Sequence, residues 1–287
     1  MVYNKINIRT KKIILITYYF NIGGTVLSIT ITVSNQKGGV GKTTTSAAIA
    51  SGIFLKGKKV LGIDLDPQGN LGFCLGAGMD NRYTVLDVLK GTVPVQEALF
   101  KSDYGDLLVS DITLSSSGLE SIPARREYIL KNAIAPIVDQ YDYIIIDTPP
   151  ALNLLTVNAY SVSDFLIIPM ASDILSLVGL AQLKETIETV RSTFNPGLNV
   201  LGILLNRFNA RTLLSRDVLE MAQQLATQIN SKVFNTKIRS GVAVAEAPAH
   251  GESIFSYNPR SAAVKDYMAF LDEIAPEIHL KEESNNG

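Results

Sequence analysis

Gln36-Lys37-Gly38-Gly39-Val40-Gly41-Lys42-Thr43-Thr44 decides how this 287-residue chain folds. Upstream of it lies Ser28-Ile29-Thr30-Ile31-Thr32-Val33, a β-branched run with the alternation of a strand; downstream, Ser46-Ala47-Ala48-Ile49-Ala50 begins a helix-forming segment. A glycine-rich turn between a strand and a helix is the setting in which backbone amides converge on an anion. Glycines 38, 39 and 41 lack a Cβ, so the chain can curl with positive φ and turn consecutive N–H groups onto phosphate oxygens. The helix that follows adds the partial positive charge of its N-terminus. Lys42 supplies a cation for the β- and γ-phosphates, and the Thr43 hydroxyl is placed to ligate Mg²⁺. Gly38, Gly39, Val40, Gly41, Lys42, Thr43 and Thr44 are therefore expected to line a nucleoside-triphosphate site.

The usual form of such a loop has glycine five residues before Gly41; here that position is Gln36, and Lys37 adds a second cation. The string K-G-G-V-G-K-T-T resembles the deviant Walker A motif of the ParA/MinD family of ATPases. That resemblance implies that Lys37 contacts the nucleotide of a partner subunit across a sandwich dimer, making it both a binding and a catalytic residue.

Composition sets the frame. A chain this long with nothing resembling a linker in its middle suits one large α/β domain. Hydrophobic residues make up 46% and charged residues 18%, the balance of a well-buried core and not of a disordered chain. The formal net charge is −1, so any nucleic-acid binding has to come from a local basic patch. Cys74 is the one cysteine, which excludes an intramolecular disulfide; with only two histidines it also disfavours a structural zinc site, as suits a reducing cytoplasm.

Residues 1–27 place Lys5, Arg9, Lys11 and Lys12 ahead of the apolar run Ile13–Phe20, an imitation of a signal peptide or anchor. Asn21, Gly23 and Gly24 interrupt it, and its second half is needed as the strand that feeds the loop. The expectation is a disordered extension or a stretch translated from a misplaced start, with the folded chain opening near Ser28. Further on, Lys58–Asp64 reads as a buried strand ending in acid, followed by Leu65-Asp66-Pro67-Gln68-Gly69-Asn70, and strand ends are where α/β sheets keep ligands. Tyr83 to Phe100 carries two short amphipathic segments, Asp106 to Leu114 has the composition of a strand, and Ala124 to Asp139 has helical spacing. Tyr143-Ile144-Ile145-Ile146-Asp147 is a buried parallel strand whose carboxylate emerges at its C-terminal end, the Walker B arrangement, in which Asp147 holds Mg²⁺ through water. Two more apolar strands, Asp164–Pro169 and Leu198–Leu205, flank a helix around Gly179 to Phe194, and an amphipathic helix runs to Ile274. Alternating strands and helices imply an α/β class fold: a single domain over 28–275, with a mainly parallel twisted sheet and helices on both faces, and a polar tail over 276–287.

The family resemblance extends over roughly residues 28–275. D-L-D-P-Q-G-N resembles its switch I, implying that Asp66 orients the attacking water and Asp64 supports the metal shell; D-T-P-P after Asp147 resembles switch II. Asn206 sits where relatives carry an asparagine that reads the adenine edge. Asn209-Ala210-Arg211-Thr212 and Thr236–Arg239 running into the E-A-P-A-H-G segment resemble ParA proteins, whose basic residues near these places form a nonspecific DNA-binding face. Arg211, Lys237 and Arg239 are the candidates here. The resemblance implies a cytoplasmic, nucleoid-associated ParA/Soj-type partition ATPase using ATP and Mg²⁺. It would close as an ATP-bound homodimer on DNA, and a ParB-like centromere-binding protein would stimulate its slow hydrolysis. The competing reading is a MinD-like membrane-associated ATPase, which needs a terminal amphipathic helix with a basic face; Pro276–Glu283 is short and acidic, so no membrane is expected. An iron–sulfur relative would need more cysteines than Cys74.

Overall fold

The computed structural model describes residues 28–78, 81–116, 118–119 and 125–280. The expectations for residues 1–27 and 281–287 lie outside the described residues. Seven strands form one sheet in the order β3-β4-β2-β5-β1-β6-β7. These are β1 (Ile29–Val33), β2 (Val60–Asp64), β3 (Leu99–Ser102), β4 (Gly105–Leu108), β5 (Tyr143–Asp147), β6 (Phe165–Ala171) and β7 (Asn199–Asn206). Every pairing is parallel except β3 with β4, a hairpin at one edge. The longer helices are α1 (Lys42–Leu55), α2 (Leu154–Val162), α3 (Ile174–Thr193), α4 (Leu213–Gln228) and α5 (Ala262–Ile274). Among the described residues no helix is long and apolar enough to cross a membrane.

The five-residue strands β2 and β5 are buried along their whole length, as expected of strands covered on both faces. Two apolar layers result. One packs Ile63, Ile144, Ile146, Leu166 and Ile168 against α2, α3 and α4; the other packs Ile31, Val33, Ile145 and Ile167 against α1 and α5. Helix α1 is buried over most of its length, including Ala47 to Ile53, because sheet, α5 and the segment Ile254–Tyr257 enclose it. This central helix therefore has little room to shift, and its first turn is fixed relative to the strand ends.

Three expectations need correction. The stretch Asp106–Leu114 is not one strand: β4 ends at Leu108, and Asp111 turns the chain by accepting the Thr113 backbone N–H at 3.0 Å, leading into a 3₁₀ turn over Ile112–Ser116. The edge strand β3 lay unrecognised in the second amphipathic segment, since it is four residues long and none of the four is fully buried. Finally, the packed chain continues past 275. Ile278 and Leu280 are buried, and the Tyr143 hydroxyl donates to the Ile278 carbonyl at 3.0 Å. Ile278 and Leu280 thus pack into the core, while Pro276 and His279 stay exposed.

Candidate functional site

Strand order brings the expected residues to one edge of the sheet. Because β1 lies between β5 and β6, the loop leaving Val33 stands beside the end of β5, where Val33 and Asp147 are register partners. On the far side of β5, Asp64 and Asp147 are also direct partners. The two acid-ended strands and the glycine loop therefore converge at the C-terminal edge, the ligand side of such sheets.

The loop has the curvature that its glycines allow. Gly39 and Gly41 have φ of +72° and +90°. A Cβ on Gly41 would lie 2.6 Å from Asn206 Nδ2, so both conformation and space demand glycine there. Gly41 is the N-cap of α1, yet no side chain caps that helix and no acidic residue lies in its first turn. A 14-residue helix that begins without a side-chain acceptor keeps its first amides available for an anion. Lys42 is buried, its Nζ 3.2 Å from the Lys37 carbonyl. Burial lowers its ammonium from the ordinary lysine value, opposed by the charges of Asp147 and Asp66. Such a buried cation is better satisfied by phosphate than by one carbonyl.

Asp147 is fully buried and gathers two hydroxyls: Thr43 Oγ1 donates to its Oδ2 at 2.6 Å, and Ser46 Oγ to its Oδ1 at 2.9 Å. Burial pushes the Asp147 carboxyl up to about 6, against the lowering effect of those hydrogen bonds and of Lys42. Ser46 was not singled out in the sequence, although it lies three residues after Thr43 and so on the same helix face. Among the described residues no group of three or more His, Cys, Asp or Glu could hold a metal ion. The donor set of Thr43 and Asp147 fits Mg²⁺, which commonly takes one or two protein oxygens and completes its shell with phosphate and water.

Asp64, the register partner of Asp147, also braces the turn that carries Asp66. Its Oδ1 accepts the Asp66 N–H and its Oδ2 the Leu71 N–H, each at 2.9 Å, so both oxygens brace the 65–71 turn. Burial and the neighbouring Asp147 charge raise its carboxyl well above the ordinary value. Asp66, held by that turn, is 8% exposed and accepts the Gln68 N–H at 3.1 Å. It lines a cleft of about 360 Å³ together with Pro149, Pro150 and Asn153, so the two switch-like segments face each other across a space open to a small molecule.

Lys37 does not point into its own cradle. Its ammonium pairs with Asp173, the N-cap of α3, and lies 3.3 Å from Ser176 Oγ. Burial acts to raise the Asp173 carboxyl, but the hydrogen bonds from Lys37 and Ser176 outweigh it and hold the group below its ordinary value. Gly38 has open space around it, and Val40 is buried beneath the loop. Thr44 lines a crevice with Ala47, Ala48 and Cys74. Asn206, at the end of β7, donates Nδ2 to the Val40 carbonyl at 2.8 Å, while its Oδ1 is buried with no partner.

The basic candidates separate. Residues 206–208 run beside Ile238, because Ile238 N–H donates to the Leu205 carbonyl and Phe208 N–H to the Ile238 carbonyl, both at 2.9 Å. This brings the segments bearing Arg211, Lys237 and Arg239 together. Arg211 is exposed. Arg239, however, is engaged by Asp266 through Nε at 2.9 Å and Nη2 at 2.6 Å, and Lys237 is half-buried with Nζ on the Asn235 carbonyl at 2.8 Å. Arg239 is more than half exposed, so this surface pair leaves its guanidinium within reach of solvent.

Fold and site together define a P-loop nucleotide-binding domain. The profile of a family described as an AAA domain matches residues 28–200. The chain is 38% identical to the chromosome partitioning protein ParA of Caulobacter vibrioides (strain NA1000 / CB15N) over 250 residues, covering 85% of this chain and 92% of that protein. It is also 38% identical to the sporulation initiation inhibitor protein Soj of Bacillus subtilis (strain 168), over 85% of this chain and 97% of that one. Among solved structures, cobyrinic acid a,c-diamide synthase from Mycobacterium smegmatis with bound ADP and magnesium superposes with a TM-score of 0.75 at 33% identity, over 91% of this chain and 100% of that chain. The chain belongs to the ParA/Soj family of partition ATPases, within the P-loop class.

Proposed function

We propose that this chain is a DNA-partition ATPase that takes ATP with magnesium into the 37–44 cradle and closes face to face with a second copy of itself. The observation that carries this reading is the uncapped start of α1, with Lys42 buried beside it and Thr43 joined to Asp147. Thr43 and Asp147 would hold Mg²⁺, which when bound neutralises phosphate charge and draws electrons from the bond to the γ-phosphorus. Asn206 offers its unpartnered Oδ1 as an acceptor, matching the exocyclic amine of adenine and opposing the carbonyl that guanine carries there. Asp66, fixed by the Asp64 turn, orients the attacking water.

Lys37 supplies the intersubunit contact. Its ion pair with Asp173 leaves the two side chains 27% and 40% exposed, and such a pair is worth only about 0–1 kcal/mol, so exchange for a neighbour's phosphate is accessible. Closure excludes water and strengthens these electrostatic contacts. The paired form holds DNA without sequence preference through a basic face that includes Arg211, and a ParB-like centromere-binding protein would stimulate hydrolysis with a basic segment acting like an arginine finger. A cytoplasmic, nucleoid-associated protein is the corresponding setting. The MinD-like alternative calls for a terminal amphipathic membrane helix; burial of Ile278 and Leu280 in the core speaks against one at 276–280. Co-sedimentation with nonspecific DNA and with anionic liposomes, each with and without ATP, separates the two. ATP-dependent retention on DNA alone is expected, and retention on liposomes alone would overturn the partition reading.

A further inference from the structure

The backbone of Arg207 is left-handed, with φ of +52°, a conformation that costs any residue bearing a Cβ. Its neighbours enforce this conformation: Asn206 bridges to Ile238, and the Phe208 N–H returns to the Ile238 carbonyl at 2.9 Å, leaving residue 207 as the kink between two anchored positions. Strain held in this way at a site edge points to a use for the side chain. The guanidinium reaches the phosphate loop, where Nη2 donates to the Gly39 carbonyl. The next loop carbonyl, that of Val40, is taken by Asn206 Nδ2 at 2.8 Å. Two consecutive residues at the end of β7 thus hold two consecutive carbonyls of the loop.

A peptide group is rigid, so fixing a carbonyl on the outside of a curl fixes the N–H of the same peptide toward the inside. The Gly39 carbonyl shares its peptide with the Val40 N–H, and the Val40 carbonyl shares its peptide with the Gly41 N–H. We infer that Asn206 and Arg207 form a clasp that orients the Val40 and Gly41 amides for phosphate before nucleotide arrives, with Arg207 a positioning residue for the cradle. A charged donor on the Gly39 carbonyl also polarises that peptide and makes its N–H a stronger donor. Without the clasp, part of the binding free energy would go into ordering a glycine loop that has open space around Gly38. The inference rests on the nucleotide-site reading above.

Its test uses the full chain with Arg207→Asn, which tolerates the left-handed backbone but cannot span to Gly39, and Arg207→Lys, which retains a cationic donor. Hydrogen exchange on the nucleotide-free proteins reads the loop directly. Peptides covering 36–41 should exchange faster in Arg207→Asn while those of β1 and β5 stay unchanged, and Arg207→Lys should fall between. Calorimetric titration with ADP and Mg²⁺ should show affinity about tenfold weaker in Arg207→Asn, the size of one charge-assisted hydrogen bond. Native loop exchange in Arg207→Asn, loosening that extends equally to the strands, or an Arg207→Lys protein no better than Arg207→Asn would overturn the clasp. A native chain that binds no ADP would refute the nucleotide reading, and the exchange experiment would still decide the clasp by itself.

Discussion

Gly41 is the position at which one added methyl group would do most. With φ of +90° and Asn206 Nδ2 2.6 Å from where a Cβ would stand, Gly41→Ala has to displace either the loop or the asparagine that holds it. ADP affinity should fall at least tenfold in titration calorimetry, since left-handed strain alone costs about 1–2 kcal/mol. Lys42→Ala removes the cation under the loop and should abolish detectable nucleotide binding by the same measurement; unchanged affinity would refute the cradle. Asp66→Ala should lower phosphate release by about 10²–10⁴-fold, the range of a lost general acid–base or water-orienting group, while leaving ATP binding intact. Much of this was legible in the sequence, because K-G-G-V-G-K-T-T and I-I-I-D each carry their chemistry in adjacent residues. What adjacency did not reveal was partnership across the fold. The pairing of Lys37 with Asp173, of Ser46 with Asp147 and of Arg207 with Gly39 spans more than a hundred residues in each case and depends on which strands are neighbours.

At the scale of elements, burial decided what could be read. Strands β2, β5 and β7 are almost wholly buried apolar runs ending at the ligand edge, and their sequences announce them. Strand β3 does not, since this short edge strand is only partly buried and mixes Leu99 and Phe100 with Lys101 and Ser102. Where a strand meets an aromatic ring, the fit becomes testable. A Cβ on Gly202 of β7 would come within 2.6 Å of the Phe234 ring, and Phe234 is itself wedged against Phe270 of α5 with ring centroids 5.0 Å apart. Gly202→Ala should therefore destabilise the fold by about 1–3 kcal/mol in denaturant unfolding, the usual consequence of overpacking a filled core. A change below a few tenths of a kcal/mol would mean that the aromatic pair can move aside.

For the whole molecule, near-neutral charge and a local basic face lead to a specific expectation about DNA. The net charge of −1 gives no general attraction to phosphate, so retention has to depend on a few residues and on pairing of two copies. Arg211→Glu should remove most ATP-dependent DNA retention while leaving ADP affinity unchanged, whereas Arg239→Glu should act chiefly on stability through its lost pair with Asp266. Equal losses of DNA retention in both would return Arg239 to the DNA face. Retention by the native chain should also fall steeply with salt as phosphate counterions are released. Whether ATP joins two copies through the phosphate loops is read from the solution mass of the Asp66→Ala protein with ATP and Mg²⁺, measured by light scattering. A species of twice the 31.1 kDa chain mass, lost when Lys37→Ala is added, is the result predicted; a particle that stays at 31.1 kDa with ATP bound would contradict it.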